Sequence, residues 1–360
     1  MTTNFPYNDV LAALAELSRL RSEHAAEPDA DVQDAIQIDI DKLERLLRQK
    51  FSHNLLLNHA VDRFLGALAR GKIQAGKEHH VVPQLYLRNF RSDPAGPTGS
   101  AAIWVFDVAT GQVSEQKIAR VAVETNVYRV PKSLTERAGG PLLIEWFLQF
   151  FESTFAPVLT SVLATGTITP ADRPMLALFI ASQSVRSASM REQLQGTQRL
   201  SRPEAAIQQG QLILHGDLDK FAAWLADQIW VLARPAAGEH LYTSDEPIVG
   251  FRSTGVPVQD DISSLGLQIE FPLSYNAVLR IFDRSANESY QHLDGRTVGL
   301  SREGLHWCNA LQVCFADDLV CASQPDFAVA KTLAAKQAFY EGEDARKGLC
   351  QVLLAGANPL

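Results

Sequence analysis

The sequence predicts an α+β protein, and three features of it say so. Apolar residues recur at helical spacing through the N-terminal stretch and in several later ones. Short apolar or alternating runs bounded by Gly, Pro, Asn and Asp read as strands. The two kinds of segment do not alternate in the regular β–α–β order of a doubly wound sheet. A chain of 360 residues suits more than one domain. The composition divides it into an N-terminal helical region (1–75), a mixed α+β core (76–325) and a C-terminal helix and tail (326–360).

In the first region, Ile36, Ile38, Ile40, Leu43, Leu46 and Leu47 form an apolar helical stripe through DVQDAIQIDIDKLERLLRQK, with Arg and Lys at its C-terminal end. The stretch AAEPDADV reads as a linker, and a further helix fits Leu55 to Ala69, ending at Gly71. The character changes at Lys77. HHVVPQLYLRNF reads as β-type, followed by a turn-rich stretch and a hairpin turning near Thr110-Gly111. A strongly apolar helix follows through LLIEWFLQFFESTFAPVLTSVLA. Thr169-Pro170 then opens a second long helix running through MLALFIASQSVRSASMREQL. The remainder reads as a helix (LDKFAAWLADQ), strands at IWVLAR, LYTSDEPIVGF and IEFPLSYNAVLRIFD, a helix through LHWCNALQVCFA and a last helix near AVAKTLAAKQAF.

Composition narrows the function. No apolar run approaches a membrane span, and the N-terminus lacks the basic start and apolar core of a signal peptide, so a cytoplasmic protein without a membrane partner is expected. A net charge of −8 argues against a general nucleic-acid coat, although Arg63, Arg70, Lys72, Lys77, Arg88 and Arg91 cluster locally. Cys308, Cys314, Cys321 and Cys350 fit no paired zinc spacing and read as reduced, buried thiols. No Walker loop, Rossmann glycine fingerprint or Gly-x-Ser-x-Gly elbow occurs.

The chemistry-bearing residues gather around His79-His80-Val81-Val82-Pro83. Neighbouring histidines on a strand point to opposite faces, which suits a division of labour between a base and a metal ligand or structural hydrogen bond. Gln183 and Arg186 lie three apart on one helix face, where a guanidinium can grip a phosphate or pair with a buried Glu145 or Glu152. Asp245, at the end of the strand LYT, can pin a turn or hold a metal.

HHVVP resembles the opening strand of the HNH or His-Me finger nucleases. That resemblance implies His80 as general base, His79 and Glu145 as ligands of a divalent cation (Mg²⁺ or Zn²⁺), and Asn126 as the orienting asparagine. The interval from His80 to Asn126 is longer than the nuclease motif, and Glu stands where that family carries His or Asn. A wider resemblance covers residues 77–325. KEHHVVPQLYLRNF, TNVYRV, ASQSVRSASMR, YTSDEPIV, FPLSYNAVLRI and CNALQVCFADDLVCAS resemble, in order, the bacterial family called domain of unknown function 4238, which implies no reaction.

Two functions are therefore expected to compete. One is a metal-dependent phosphodiesterase on nucleic acid, possessing His80, Arg186 and Asn126 as catalytic residues, with Gln84, Arg88, Gln183 and Asp245 on the substrate. The other is a non-catalytic nucleotide-binding, sensing or interaction module, in bacterial defence or stress response, whose His, Arg and Asp residues form a buried network. The oligomeric state is open.

Overall fold

The computed structural model describes residues 10–50, 78–125, 143–198, 217–252 and 266–341, with Ala205, Gln209, Ala345, Arg346 and Gly348. The helix expected at 55–69 and Asn126 lie outside the described residues. Helices and sheets coexist without β–α–β alternation, so the fold is α+β. No helix among the described residues is long and apolar enough to cross a membrane.

The chain divides into two compact units. One comprises Met1–His79, Glu124–Phe155 and Met190–Lys220; the other comprises His80–Val123, Ala156–Ser189 and Phe221–Leu360. In the first unit, α1 (Val10–Ala26) and α2 (Ala30–Lys50) form a helical hairpin. Asp29 starts α2 by accepting the amides of Asp31 and Val32 at 3.0 and 3.3 Å, as a helix-initiating carboxylate should. The buried stripe is Ile40, Leu43 and Leu47, with Ala13, Leu17 and Leu20 on α1. Ile38, expected within that stripe, is 64% exposed. It stands two residues before Ile40, close to the opposite side of a 3.6-residue turn.

The second unit carries the four-stranded and five-stranded sheets. β1 (Glu78–His80) pairs with β4 (Val123–Thr125). The β-type reading of HHVVPQLYLRNF holds only for β1, because α3 (Gln84–Leu87) and a 3-10 turn (Arg88–Phe90) follow it. Pro83 is the cause. Its φ of −58° is already suited to a turn, and its carbonyl accepts the amides of Tyr86 and Leu87 at 3.0 and 3.1 Å. Tyr86, Leu87 and Phe90 are then buried at helical spacing.

The expected hairpin forms between β2 (Ala102–Asp107) and β3 (Val113–Lys117). Its turn is held by the Asp107 carboxylate on the Thr110 amide, with Gly111 at φ +70°. These strands join β11 (Leu319–Ala322) and β6 (Thr243–Ser244) in the order β3-β2-β11-β6. A mixed sheet runs in the order β10 (Thr297–Gly299), β5 (Ile229–Arg234), β9 (Ala277–Phe282), β8 (Leu267–Ser274), β7 (Val249–Arg252), with β10 parallel to β5. IEFPLSYNAVLRIFD resolves into the hairpin of β8 (Leu267–Ser274) and β9 (Ala277–Phe282), turning at Tyr275-Asn276; β7 (Val249–Arg252) flanks it.

The apolar helix is α4 (Leu143–Thr165). The single long helix expected after Thr169-Pro170 is two helices, α5 (Arg173–Val185) and α6 (Ala188–Gln198), broken at Arg186-Ser187. Serine hydroxyls drain the ladder just before the break: Ser182 Oγ and Ser184 Oγ donate to the carbonyls of Phe179 and Ile180. Thr169 lies in the preceding turn, where its amide and hydroxyl bind Asp172; Pro174 is the proline in the first turn of α5.

Of the remaining helices, α7 spans Asp217–Asp227, α8 Arg302–Phe315 and α9 Ala328–Ala334. Ser301 caps α8 through the Gly304 amide at 3.0 Å. The α8 residues Trp307, Leu311 and Cys314 pack in one core with Phe106, Tyr242, Phe251 and Val320. Phe327, Ala330, Leu333 and Phe339 belong to the same core, so the segment after residue 325 is integral to this unit. Cys308 and Cys321 are free and buried as expected, whereas Cys314 is disulfide-bonded, which corrects the all-thiol expectation. Sequence spacing alone does not show which cysteines meet in space; Cys350 lies outside the described residues.

Candidate functional site

The site is built on the segment from β1 through α3. His80 ends β1 half-buried, and Val81 and Val82 behind it are buried. The Val81 amide donates to the Ala122 carbonyl at 3.0 Å. Ala122 delivers that carbonyl from φ +50°, a left-handed conformation costing an alanine about 1 kcal/mol.

α5 grips the same segment. Gln183 Nε2 donates to the Val81 carbonyl at 2.8 Å, and the Arg186 guanidinium donates to the His80 carbonyl. Both side chains are buried, at 3% exposure each. Arg186 closes α5 as its C-terminal cap residue, which turns its side chain toward β1. The pair expected on a phosphate therefore spends hydrogen bonds on backbone, where an unmet carbonyl would cost 1–3 kcal/mol by the usual range of about that size.

A different row faces outward from that framework. His80 Nε2 lies 2.6 Å from Gln84 Nε2, and Arg88 donates to Gln84 Oε1 at 3.2 Å. All three residues are half-buried. A guanidinium only donates, so the Gln84 oxygen faces Arg88 and its NH₂ faces His80. His80 Nε2 is then the acceptor and carries its lone pair. One turn of helix brings Arg88 to Gln84, because positions four apart share a face, while His80 reaches Gln84 from the end of β1.

Asp245 occupies the β6–β7 loop and accepts the amides of Asp317, Asp318 and Leu319 at 3.0, 2.7 and 2.9 Å. Its neighbour Glu246 accepts the Ser189 amide at 3.1 Å, at the start of α6. Ser244 Oγ donates to Gln312, whose amide nitrogen donates to the Pro247 carbonyl. Ser-Asp-Glu-Pro thus ties the α8–β11 turn to the α5–α6 corner. The residues keep some surface exposed, but their carboxylates are enclosed. Burial pushes Asp245 up to about 7 and Glu246 up to about 8, only partly opposed by the amides they accept.

The structure therefore brings together His80, Gln84, Arg88, Gln183 and Arg186, while the Asp245 carboxylate points to the 317–319 turn. The side chains of His79 and Glu145, and all of Asn126, lie outside the described residues. Among the described residues no three His, Cys, Asp or Glu side chains stand close enough to share a cation. Glu246 was missed in the sequence, where a charged residue before proline carries no sign of the helix start it meets.

Neither the curated proteins nor the solved structures compared with the chain give a match. A family match does exist, and it spans residues 78–326, from the first residue of β1 to the residue before Phe327. By that span the chain belongs to the family described as protein of unknown function (DUF4238).

Proposed function

We propose that the chain is a binding module for a phosphate-bearing ligand of the nucleotide or nucleic-acid type. In this reading His80, Gln84 and Arg88 form the contact row, Gln183 and Arg186 form the framework behind it, and Asp245 pins the separate 317–319 turn. The observation that carries the reading is the division between the two sets. The buried set bonds to backbone carbonyls and amides, while Arg88 stands half-buried with Gln84 on one of its nitrogens. A guanidinium so placed keeps donors for a phosphate oxygen. Titration of labelled single-stranded DNA and of ATP against wild type and Arg88→Ala tests it. Binding that weakens with salt and falls about tenfold in the variant is expected, the worth of one charge-assisted hydrogen bond. No binding by wild type, or equal binding by both proteins, would sink it.

The second reading, favoured by the acceptor state of His80 Nε2, is HNH-like hydrolysis of nucleic acid with His80 as general base. The nuclease resemblance adds His79 and Glu145 as cation ligands and Asn126 as the orienting residue. His80→Ala should then lower cleavage in Mg²⁺, Mn²⁺ or Zn²⁺ by about 10²–10⁴-fold with an unchanged circular dichroism melt. A wild type that cleaves neither DNA nor RNA with any of these ions removes this reading and leaves the first.

A further inference from the structure

A second polar cluster lies away from the His80 row, around the loop after β5 and the bend after β11. Ser323 Oγ is 3.2 Å from His240 Nδ1. Ser323 is buried and His240 is half-buried, so the imidazole forms the open side of the pair. The chain locks His240 from several directions. Asn309 on α8 donates to the His240 carbonyl at 3.0 Å and accepts the Tyr242 amide at 2.8 Å. The Leu241 amide donates to the Tyr275 carbonyl at 2.8 Å, and the Tyr275 ring packs on the imidazole at 5.8 Å between centroids.

The protonation state follows from the same surroundings. Burial holds the His240 imidazole below its ordinary range, opposed by the negative charge of Asp326. In the neutral tautomer that carries its proton on Nε2, Nδ1 is the acceptor and the Ser323 hydroxyl donates to it. Serine hydrogen-bonded to a fixed neutral histidine is the arrangement that activates a hydroxyl nucleophile. One further donor in this neighbourhood is unspent. Asn89, whose carbonyl accepts the Tyr275 amide at 3.2 Å, has a buried side-chain nitrogen with no hydrogen-bond partner among the described residues.

We propose that Ser323 and His240 form a nucleophile–base pair that cleaves a small, uncharged carboxylic ester. The substrate class follows from charge and lining. Asp326 faces His240, and the half-buried Glu239 paired with the exposed Arg302 adds no net charge, so a phosphate anion is disfavoured, while the Tyr275 ring suits an apolar ester. Ser323 Oγ attacks the carbonyl carbon and its proton passes to His240 Nδ1. Collapse of the tetrahedral species breaks the ester C–O bond, and the leaving alcohol takes that proton. Water then attacks the Ser323 ester, giving its proton to His240, which returns it to Ser323 Oγ as the acid departs. No other reactant is required. The Gly-x-Ser-x-Gly elbow absent from the sequence is one way of presenting such a serine; here the bend after β11 presents it.

The test is labelling of the full chain with a small fluorophosphonate, read by mass spectrometry of the Ser323 peptide, alongside turnover of p-nitrophenyl acetate. Wild type should carry the adduct on Ser323, with labelling that rises with pH through a histidine titration and saturates. Ser323→Ala should lose it. His240→Asn keeps an acceptor for the serine hydroxyl but cannot take its proton, and should label at least ~10²-fold more slowly with an unshifted melt. A folded wild type without adduct at Ser323, an adduct confined to other residues, or equal labelling of His240→Asn each overturns the proposal.

Discussion

Arg186 and Arg88 place one residue type in two settings, one buried and one half-buried. Arg186 is buried against the His80 carbonyl, so Arg186→Ala should cost about 3 kcal/mol in urea unfolding, the price of stranding buried polar groups. Arg88→Ala, on the half-buried row, should cost less than about 1 kcal/mol and act on ligand binding instead. Equal destabilisation by the two would contradict the separation of framework from contact row. Ala122 offers a measurement of the opposite sign. Glycine carries no Cβ penalty at φ +50°, so Ala122→Gly should not destabilise and should raise the melting midpoint, up to about 1 kcal/mol. The histidine pair, the glutamine and both arginines were all visible in the sequence. Which of them faced backbone was not, because that depends on the break at Arg186-Ser187, and no propensity marks it more strongly than the surrounding helix.

At the scale of elements, the Ser-Asp-Glu-Pro loop sets a pH dependence. Glu246 moves from an ordinary 4.5 to about 8, and Asp245 from 3.8 to about 7. Between the ordinary and the raised values the folded protein holds protons that the unfolded chain has released. Their contribution to stability is therefore full at low pH and is lost as pH rises through about 7 and then 8. Glu246→Gln keeps an acceptor for the Ser189 amide while removing the titration, so its melting temperature should fall less between pH 6 and pH 9 than that of wild type, a range spanning about both values. Parallel curves for the two proteins would refute the assignment. The α2 stripe supplies a cleaner contrast. Leu43→Ala should cost about 2–4 kcal/mol, whereas Ile38→Glu should stay within about 0.5 kcal/mol, as judged by chemical denaturation.

At the scale of the molecule, a fully enclosed ion pair interrupts the hydrophobic core among the described residues. Glu270 on β8 and Arg280 on β9 stand directly opposite in register, 2.6 Å apart, at 2% and 0% exposure. Burial pushes Glu270 up against the pull of Arg280, and the Cys308 thiol of α8 lies 3.6 Å from the same carboxylate. Glu270→Ala should strand the guanidinium and cost about 3–5 kcal/mol, while Glu270→Leu combined with Arg280→Met should be far milder. Thermal melts of the single and double variants decide this, and an additive double variant would show that the pair is not coupled.

By itself the sequence determined the α+β class, the helical stripe of α2, the β2–β3 turn, the helix α8 and the family to which the chain belongs. Each rests on local periodicity, on turn residues or on a long motif, all of which act within a few residues of the chain. Tertiary structure decided the rest. The short strands β10 and β11 exist because β5, β2 and β6 pair with them, and Thr-Val-Gly or Leu-Val-Cys-Ala alone has no preference strong enough to declare it. Pro83 turned an apparent strand into α3 through carbonyl bonds to Tyr86 and Leu87. The partners of Gln183, Arg186, Asp245 and Ser323 lie 102, 106, 72–74 and 83 residues away in the chain. A polar side chain advertises in the sequence that it needs a partner when buried, but only the packed fold determines which atom supplies it.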